Sequence, residues 1–325
     1  MEKFGIKRIG IGAVFSVILC GSILTGAWAA VPDQLIPGGD IIGLDLETAG
    51  VSVVELSNDI VGKVGLKPGD LICKINGVEI TSVEQLRQAV QSSQGAVMDV
   101  RVLRNGNEKP LKLSALQTAE GWKLGVYVRD QLKGIGTVTY YEEDGDFGAL
   151  GHGVNMGEGN TLLPLKEGDV LPSEVASVVK GEVGTPGCLK GACKEGSVCG
   201  KILQNTPYGI FGEMEKSTAN ALPVGDASTV HKGAAQIRST IHGQEVRTYT
   251  VEICEIHHTD THDRNLLLRV TDPALLETTG GIVQGMSGSP IIQDGKLIGA
   301  VTHVLVDDPT TGYGIFIENM LNAAA

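Results

Sequence analysis

The sequence has few aromatic residues, no basic block and no long helical period in its second half, and each shortage removes a class of function. Aromatics make up 4% of the chain, too few for the stacking platforms that bind single-stranded nucleic acid. Lys and Arg number 26 against 38 Asp and Glu, a formal net charge of −12. No basic cluster is available to neutralise phosphates, so nucleic acid is excluded as a partner. The tight two-residue cysteine knuckle of zinc sites is missing too: Cys188, Cys193 and Cys199 are spaced by four and five intervening residues. What abounds is glycine. Its 45 copies are about twice the usual share of ~7% and, without a triplet repeat, imply tight turns and many short strands. At 325 residues the chain has room for two domains after a targeting segment.

Such a segment opens the sequence, over residues 1–30. Lys3, Lys7 and Arg8 precede an apolar run from Ile9 to Trp28, and Ala27-Trp28-Ala29 has the small-x-small form of a cleavage site. The run is also long enough to span a bilayer as a helix. A cleaved signal peptide and a retained membrane anchor are both open, and either one places the bulk of the chain outside the cytoplasm.

Between residues 36 and 116 the pattern is mixed. Gly65-Leu66-Lys67-Pro68-Gly69-Asp70-Leu71-Ile72 leads through a strand to an Asn76-Gly77 turn and a second short strand. Val83, Leu86, Ala89 and Val90 then recur at helical spacing behind Ser82 and Gln85, which have the form of a capping box. A hairpin around Asn105-Gly106 closes the unit. This order, with its Leu-Lys-Pro-Gly-Asp-Leu-Ile run, resembles a small α+β PDZ domain of the kind attached to bacterial secreted proteases. The resemblance implies a peptide groove lined by Ile41, Ile42, Gly43 and Leu44 and by Val83, Leu86 and Val90, where a peptide would add as a strand. The connection from Ser57 to Gly65 is short for that type.

From about residue 120 to 325 the chain reads as strands broken by glycine and turn residues, an all-β sandwich or barrel. The stretch Gly285-Met286-Ser287-Gly288-Ser289-Pro290 stands out. Glycines around a serine let consecutive N–H groups turn toward one point, as an oxyanion hole requires. Asp294-Gly295 between apolar runs then predicts a hairpin. A serine nucleophile needs a base, and the base needs a carboxylate. His152, between two glycines at a strand end, is the first candidate base, and His303, in an apolar alternating run, the second. Asp272, between an apolar strand and Pro273, is either a turn cap or a functional carboxylate. His257, His258 and His262 share a polar loop with Asp260 and Asp263 that reads as solvated rather than metal-binding. The three close cysteines read as a disulfide pair before a metal site. No metal and no cofactor is expected.

Three stretches carry a resemblance over nearly the whole chain: residues 280–290, Gly299-Ala300-Val301-Thr302-His303-Val304, and residues 308–318. They are similar to the stage IV sporulation protein B peptidases of endospore-forming bacteria. That resemblance implies a mainly β protein with a chymotrypsin-like double β-barrel, and a catalytic set of His152, Asp272 and Ser287. By analogy with chymotrypsin-like peptidases, the backbone N–H groups of Gly285 and Ser287 form the oxyanion hole. It further implies a peptidase translocated across the forespore membrane that cleaves itself and clips a membrane-bound regulator of an intramembrane metalloprotease, leading to sigma-factor activation. Two rivals are an inactive PDZ adaptor on a protease scaffold and a metal-dependent hydrolase.

Overall fold

The computed structural model describes residues 32–57, 65–156, 161–194, 196–215, 218–260 and 263–325. The targeting segment, the connection 58–64 and His262 lie outside the described residues. Among those described, no helix is long and apolar enough to cross a membrane.

After β1 (Gln34–Pro37) comes the 16-residue strand β2 (Ile41–Leu56), then β3 (Leu71–Ile75), β4 (Val78–Glu79), a helix Val83–Ser93, β5 (Val97–Arg104) and β6 (Asn107–Ser114). A small hairpin, β7 (Leu116–Thr118) and β8 (Gly121–Lys123), precedes a second 16-residue strand, β9 (Val126–Tyr141). Next are β10 (Asp146–Ala149), β11 (Leu165–Val179), β12 (Cys188–Cys193), β13 (Gly200–Thr206), β14 (Gly209–Met214) and β15 (Leu222–Pro223). The C-terminal part holds β16 (Gly233–Thr240), β17 (Val246–Ile256), β18 (Leu266–Val270), a helix Pro273–Thr279, β19 (Pro290–Gln293), β20 (Lys296–Leu305), β21 (Asp308–Phe316) and a helix Ile317–Ala324.

These strands close two six-stranded barrels. The first runs β2-β9-β10-β14-β13-β11 and returns to β2. The second runs β16-β17-β18-β21-β20-β19 and returns to β16. Closure leaves no strand edge open in either ring. Each barrel has its own core, around Leu46, Val138, Phe147 and Ile210 in the first and Ile237, Leu268, Ile291 and Val301 in the second. A smaller cluster with Tyr140, Phe211, Ala300, Ile315 and Met320 joins them.

The PDZ unit is an insertion into the first barrel, because β2 and β9 each serve both. Residues 41–47 of β2 pair with residues 131–137 of β9 in the barrel wall, and after a register shift residues 52–56 pair with 126–129 in the PDZ unit. That unit's core comprises Val53, Leu66, Ile72, Leu86, Val90, Met98 and Val102. The expected cap is present: Ser82 Oγ accepts from Gln85 N, while Gln85 Oε1 accepts from Thr81 N, one residue earlier than a capping box has it. Asp294 and Gly295 both take positive φ (51° and 75°), the geometry of the tight hairpin turn their sequence predicts.

The expected groove strand is corrected by this topology. Ile41, Ile42, Gly43 and Leu44 face residues 134–137 on one edge, and residues 42–44 face 170–172 on the other. Both edges are filled, so no peptide can add there. Val83, Leu86 and Val90 instead line a cleft of about 570 Å³ whose opposite wall is Leu124, Val126, Tyr127 and Val128. Over residues 126–129, β9 pairs with β2 on one side only. The cleft is tied at both ends: Asp130 Oδ2 accepts from Val83 N at 2.7 Å, and Gln91 exchanges two hydrogen bonds with the Trp122 backbone.

Candidate active site

Ser287 sits where the two barrels meet, and strand β9 holds its turn. Thr137 N donates to Ser287 O at 3.1 Å, Thr137 Oγ1 to Gly285 O at 2.8 Å and Thr139 Oγ1 to Gly288 O at 2.8 Å. Thr137 and Thr139, two apart, share a face of the strand, and both are buried. Gly288, at φ +97°, lies flat against the first barrel: a Cβ there would overlap Thr137 O and come within 2.5 Å of Leu150 N. No other residue permits that approach. Ser289 is fully buried and closes the turn through its backbone, its N–H to Met286 O and its carbonyl to Val301 N.

Among the described residues the N–H groups of Gly285 and Ser287 donate to no protein acceptor, although nearly every neighbouring N–H does. Gly285 has φ +99°. Two unpaired donors, one on the serine itself and one two residues before it, are what an oxyanion needs. The preceding residue is braced from the first barrel's side, Gln284 N to Gly187 O and Leu189 N to Gln284 O.

His152 reaches the same junction from the end of β10. A register shift at Gly148/Ala149 and positive φ at Leu150 (70°) and Gly151 (69°) turn the chain there; left-handed backbone at a buried leucine is strain of the kind held at functional sites. His152 Nδ1 lies 3.0 Å from Gly153 O, which can only accept, so Nδ1 is the donor, and in the neutral ring Nε2 is then the acceptor. That is the tautomer a base needs. In this conformation Ser287 Oγ donates to Thr302 O at 2.7 Å rather than to His152.

His303 is also at the junction, with its ring centroid 4.9 Å from that of His152. Its Nδ1 is 3.4 Å from Asp263 Oδ2, and Thr302 Oγ1 donates to Asp263 O at 2.7 Å. Burial holds His303 below the ordinary histidine value, against Asp263, which raises it; His152 and Arg264 lower it further. His152, His303, Asp260, Asp263, Arg264 and Tyr208 line a cleft of about 540 Å³.

Asp272 is not part of this assembly. It is the N-cap of the helix Pro273–Thr279, where its Oδ1 accepts from Ala274 N and Leu275 N and its Oδ2 from Thr250 N. It follows the five-residue strand β18, which spans roughly 16 Å, whereas Asp263 precedes that strand. The sequence leaves Asp272 as a turn cap or a functional carboxylate; the structure makes it a helix cap, with Pro273 at the first helical position and Gly280 in left-handed geometry after the last. Asp263 was visible only as one acid in a polar loop, and Thr302 as one residue of an apolar strand. Elsewhere, His258 stacks on Phe316 and His257 lies 3.3 Å from Glu255, while Cys73, Cys188, Cys193, Cys199 and Cys254 are unpaired thiols.

Two closed six-stranded barrels with a serine turn and a histidine meeting between them define a chymotrypsin-like serine endopeptidase, here carrying a PDZ domain. The family model described as SpoIVB peptidase S55 matches residues 120–321, and a PDZ domain model matches residues 62–104. The chain belongs to the SpoIVB peptidase S55 family. Solved structures similar to it include the Rv3671c protease from M. tuberculosis in its active form, at 14% identity over 59% of this chain and 73% of that one, TM-score 0.36. The HtrA-type protease AlgW with a tripeptide is 11% identical over 58% of this chain and 54% of that one, TM-score 0.36. The PDZ domain of the SdrC-like protein from Listeria monocytogenes is 19% identical over 25% of this chain and 87% of that one, TM-score 0.23.

Proposed function

We propose that Ser287 is the nucleophile and His152 its base in an endopeptidase that acts in spore formation outside the cytoplasm, cleaving itself and a membrane-bound regulator of an intramembrane metalloprotease, with sigma-factor activation as the result. Family membership supports the biological role, and the basic, apolar N-terminal segment supports translocation across the forespore membrane into the intermembrane space. For the chemistry, the carrying observation is the junction itself. A serine on a glycine turn with two unpaired N–H groups comes from the second barrel, and a histidine at the end of β10 comes from the first.

The steps follow from those positions. Substrate entry frees Ser287 Oγ from Thr302 O. As Oγ bonds to the scissile carbonyl carbon, its proton passes to His152 Nε2, and the carbonyl electron pair moves to oxygen, facing the N–H groups of Gly285 and Ser287. Collapse breaks the C–N bond, and the leaving amine takes the proton from Nε2. Water then repeats the sequence on the acyl-enzyme. The cleft between Val83, Leu86 and Val90 and the open edge of β9 takes a peptide as an added strand. Because β9 runs unbroken from that edge to Thr137, a bound peptide rests on the strand that holds the serine turn.

The test is phosphonate labelling and self-cleavage of the purified full chain. Ser287→Ala should abolish both, and Val83→Lys should weaken peptide binding while leaving phosphonate labelling intact. Labelling that survives in Ser287→Ala sinks the assignment. Activity lost to a chelator alone would favour a metal-dependent hydrolase instead, and an unreactive wild-type chain an adaptor.

A further inference from the structure

We propose that one extended substrate segment occupies the serine site and the PDZ cleft together, running antiparallel to β9, so that the bond cut lies about ten residues before an apolar side chain held in the cleft. This rests on the reading of Ser287 as nucleophile and of the cleft as a peptide site. The free edge of β9 carries it. β2 takes one edge of that strand, at residues 131–137 and again at 126–129. The other edge meets β10 only from residue 138 onward. Among the described residues, no strand covers that second edge at Ile135 or over 126–129.

The two ends of this edge face the two sites. At the serine end, Thr137 N donates to Ser287 O and Thr137 O accepts from Leu150 N. Alternate residues of a strand aim their backbone groups at the same edge, so the N–H and carbonyl of Ile135 face the same way. A Cβ on Gly285 would lie 3.2 Å from Ile135 Cδ1, which puts Ile135 beside one of the two oxyanion donors. At the far end, Val126 and Val128 form one wall of the cleft, and Val83, Leu86 and Val90 the other. Between the ends the strand lies at the surface, with Tyr127 60% exposed and Gln131 and Lys133 also exposed.

Pairing sets the polarity. An antiparallel strand is the better-bonded partner for an edge. Antiparallel to β9, a peptide runs from the serine turn toward the cleft, so the residues on Ile135 and beyond are those that follow the scissile bond. Val128 and Val126 come nine and eleven residues before Thr137, about 30–36 Å along the strand. A peptide of the same rise therefore brings roughly its tenth residue after the cut bond between the apolar walls. The substrate class is an extended segment with an apolar residue at that spacing. A spacer much shorter than about nine residues cannot bridge the sites, because a chain reaches at most ~3.3–3.6 Å per residue. Holding the far end makes engagement of the serine site intramolecular, which raises its effective concentration.

The experiment uses the purified full chain. A sequence that it cuts in casein, an unstructured protein, is read by mass spectrometry and rebuilt in synthetic peptides. Each continues into a Thr-Ser spacer of four, ten or sixteen residues and a Val-Ile-Val anchor, and kcat/KM is compared with that of the same peptide lacking the anchor. The anchor should raise kcat/KM about tenfold or more at ten residues, give no gain at four and keep part of the gain at sixteen. Placed ten residues before the scissile bond, it should give none. Val83→Lys should remove the gain, as should an excess of free Val-Ile-Val peptide, which tests the cleft without a substitution. Equal gains at four and ten residues, or a gain only from the upstream anchor, overturn the inference and leave the reading of Ser287 intact. A Ser287→Ala chain that still cuts overturns the nucleophile reading and this inference with it.

Discussion

Gly288→Ala tests how closely the serine turn must sit on the first barrel. The added methyl would overlap Thr137 O and approach Leu150 N to 2.5 Å and Leu150 Cα to 3.0 Å. All three are backbone atoms, so no side chain can swing away. Restoring contact distances near 3.5 Å requires the turn and the β9–His152 region to separate by more than about 1 Å. Overpacking costs about 1–3 kcal/mol and positive φ at a non-glycine roughly 1–2 kcal/mol, together about 2–5 kcal/mol. At a few degrees per kcal/mol the melting temperature should fall by roughly 5–15 °C. A 1 Å displacement of nucleophile from base is worth about a hundredfold in rate. Gly295→Ala is the control: its φ is +75° with nothing within 4 Å of the added Cβ, so it carries the conformational cost without the clash. Calorimetry and phosphonate labelling of both variants separate the two contributions. A Gly288→Ala chain that melts and labels like Gly295→Ala would refute the claim that this contact sets the site.

Asp272→Ala removes a helix cap and should cost about 1 kcal/mol, a drop of roughly 2–4 °C by calorimetry. Arg104→Met strands the buried Asp70 carboxylate, which Arg104 now contacts at 2.5 and 2.6 Å. Breaking such a pair costs about 3–5 kcal/mol, and lost amide-exchange protection in the PDZ unit should report it. His303 is held below its ordinary value of 6.5, chiefly by burial. The unfolded chain therefore takes up that proton first as pH falls, so stability contributed by neutral His303 is present above pH 6.5 and lost below it. Melting temperatures measured across that range should depend less on pH in His303→Phe.

The PDZ unit and the serine turn are joined by a shared strand. The unit is not a separate bead on a linker but an insertion whose two roots, β2 and β9, are barrel strands. From Tyr127 at the cleft to Thr137 at the serine turn is ten residues of one strand, or about 33 Å.

Local chemistry was legible in the chain order. Asp294-Gly295 specifies its turn, Ser82 caps its helix, and the glycines around Ser287 mark the reactive turn, because each acts through atoms a few residues apart. Asp272 reads from the sequence as a turn cap or a functional carboxylate, and the structure uses it as the N-cap of a short helix that no periodicity announces. What tertiary structure alone decided is which distant segments share an edge. Ile41, Ile42, Gly43 and Leu44 have the alternation of any half-open strand, and only barrel closure, which pairs both their edges, removes them from the peptide groove. Likewise, nothing in the polar loop around Asp263 announces His303 forty residues later. Their meeting with His152 depends on how two closed barrels abut, a long-range packing outcome that no short stretch of sequence encodes.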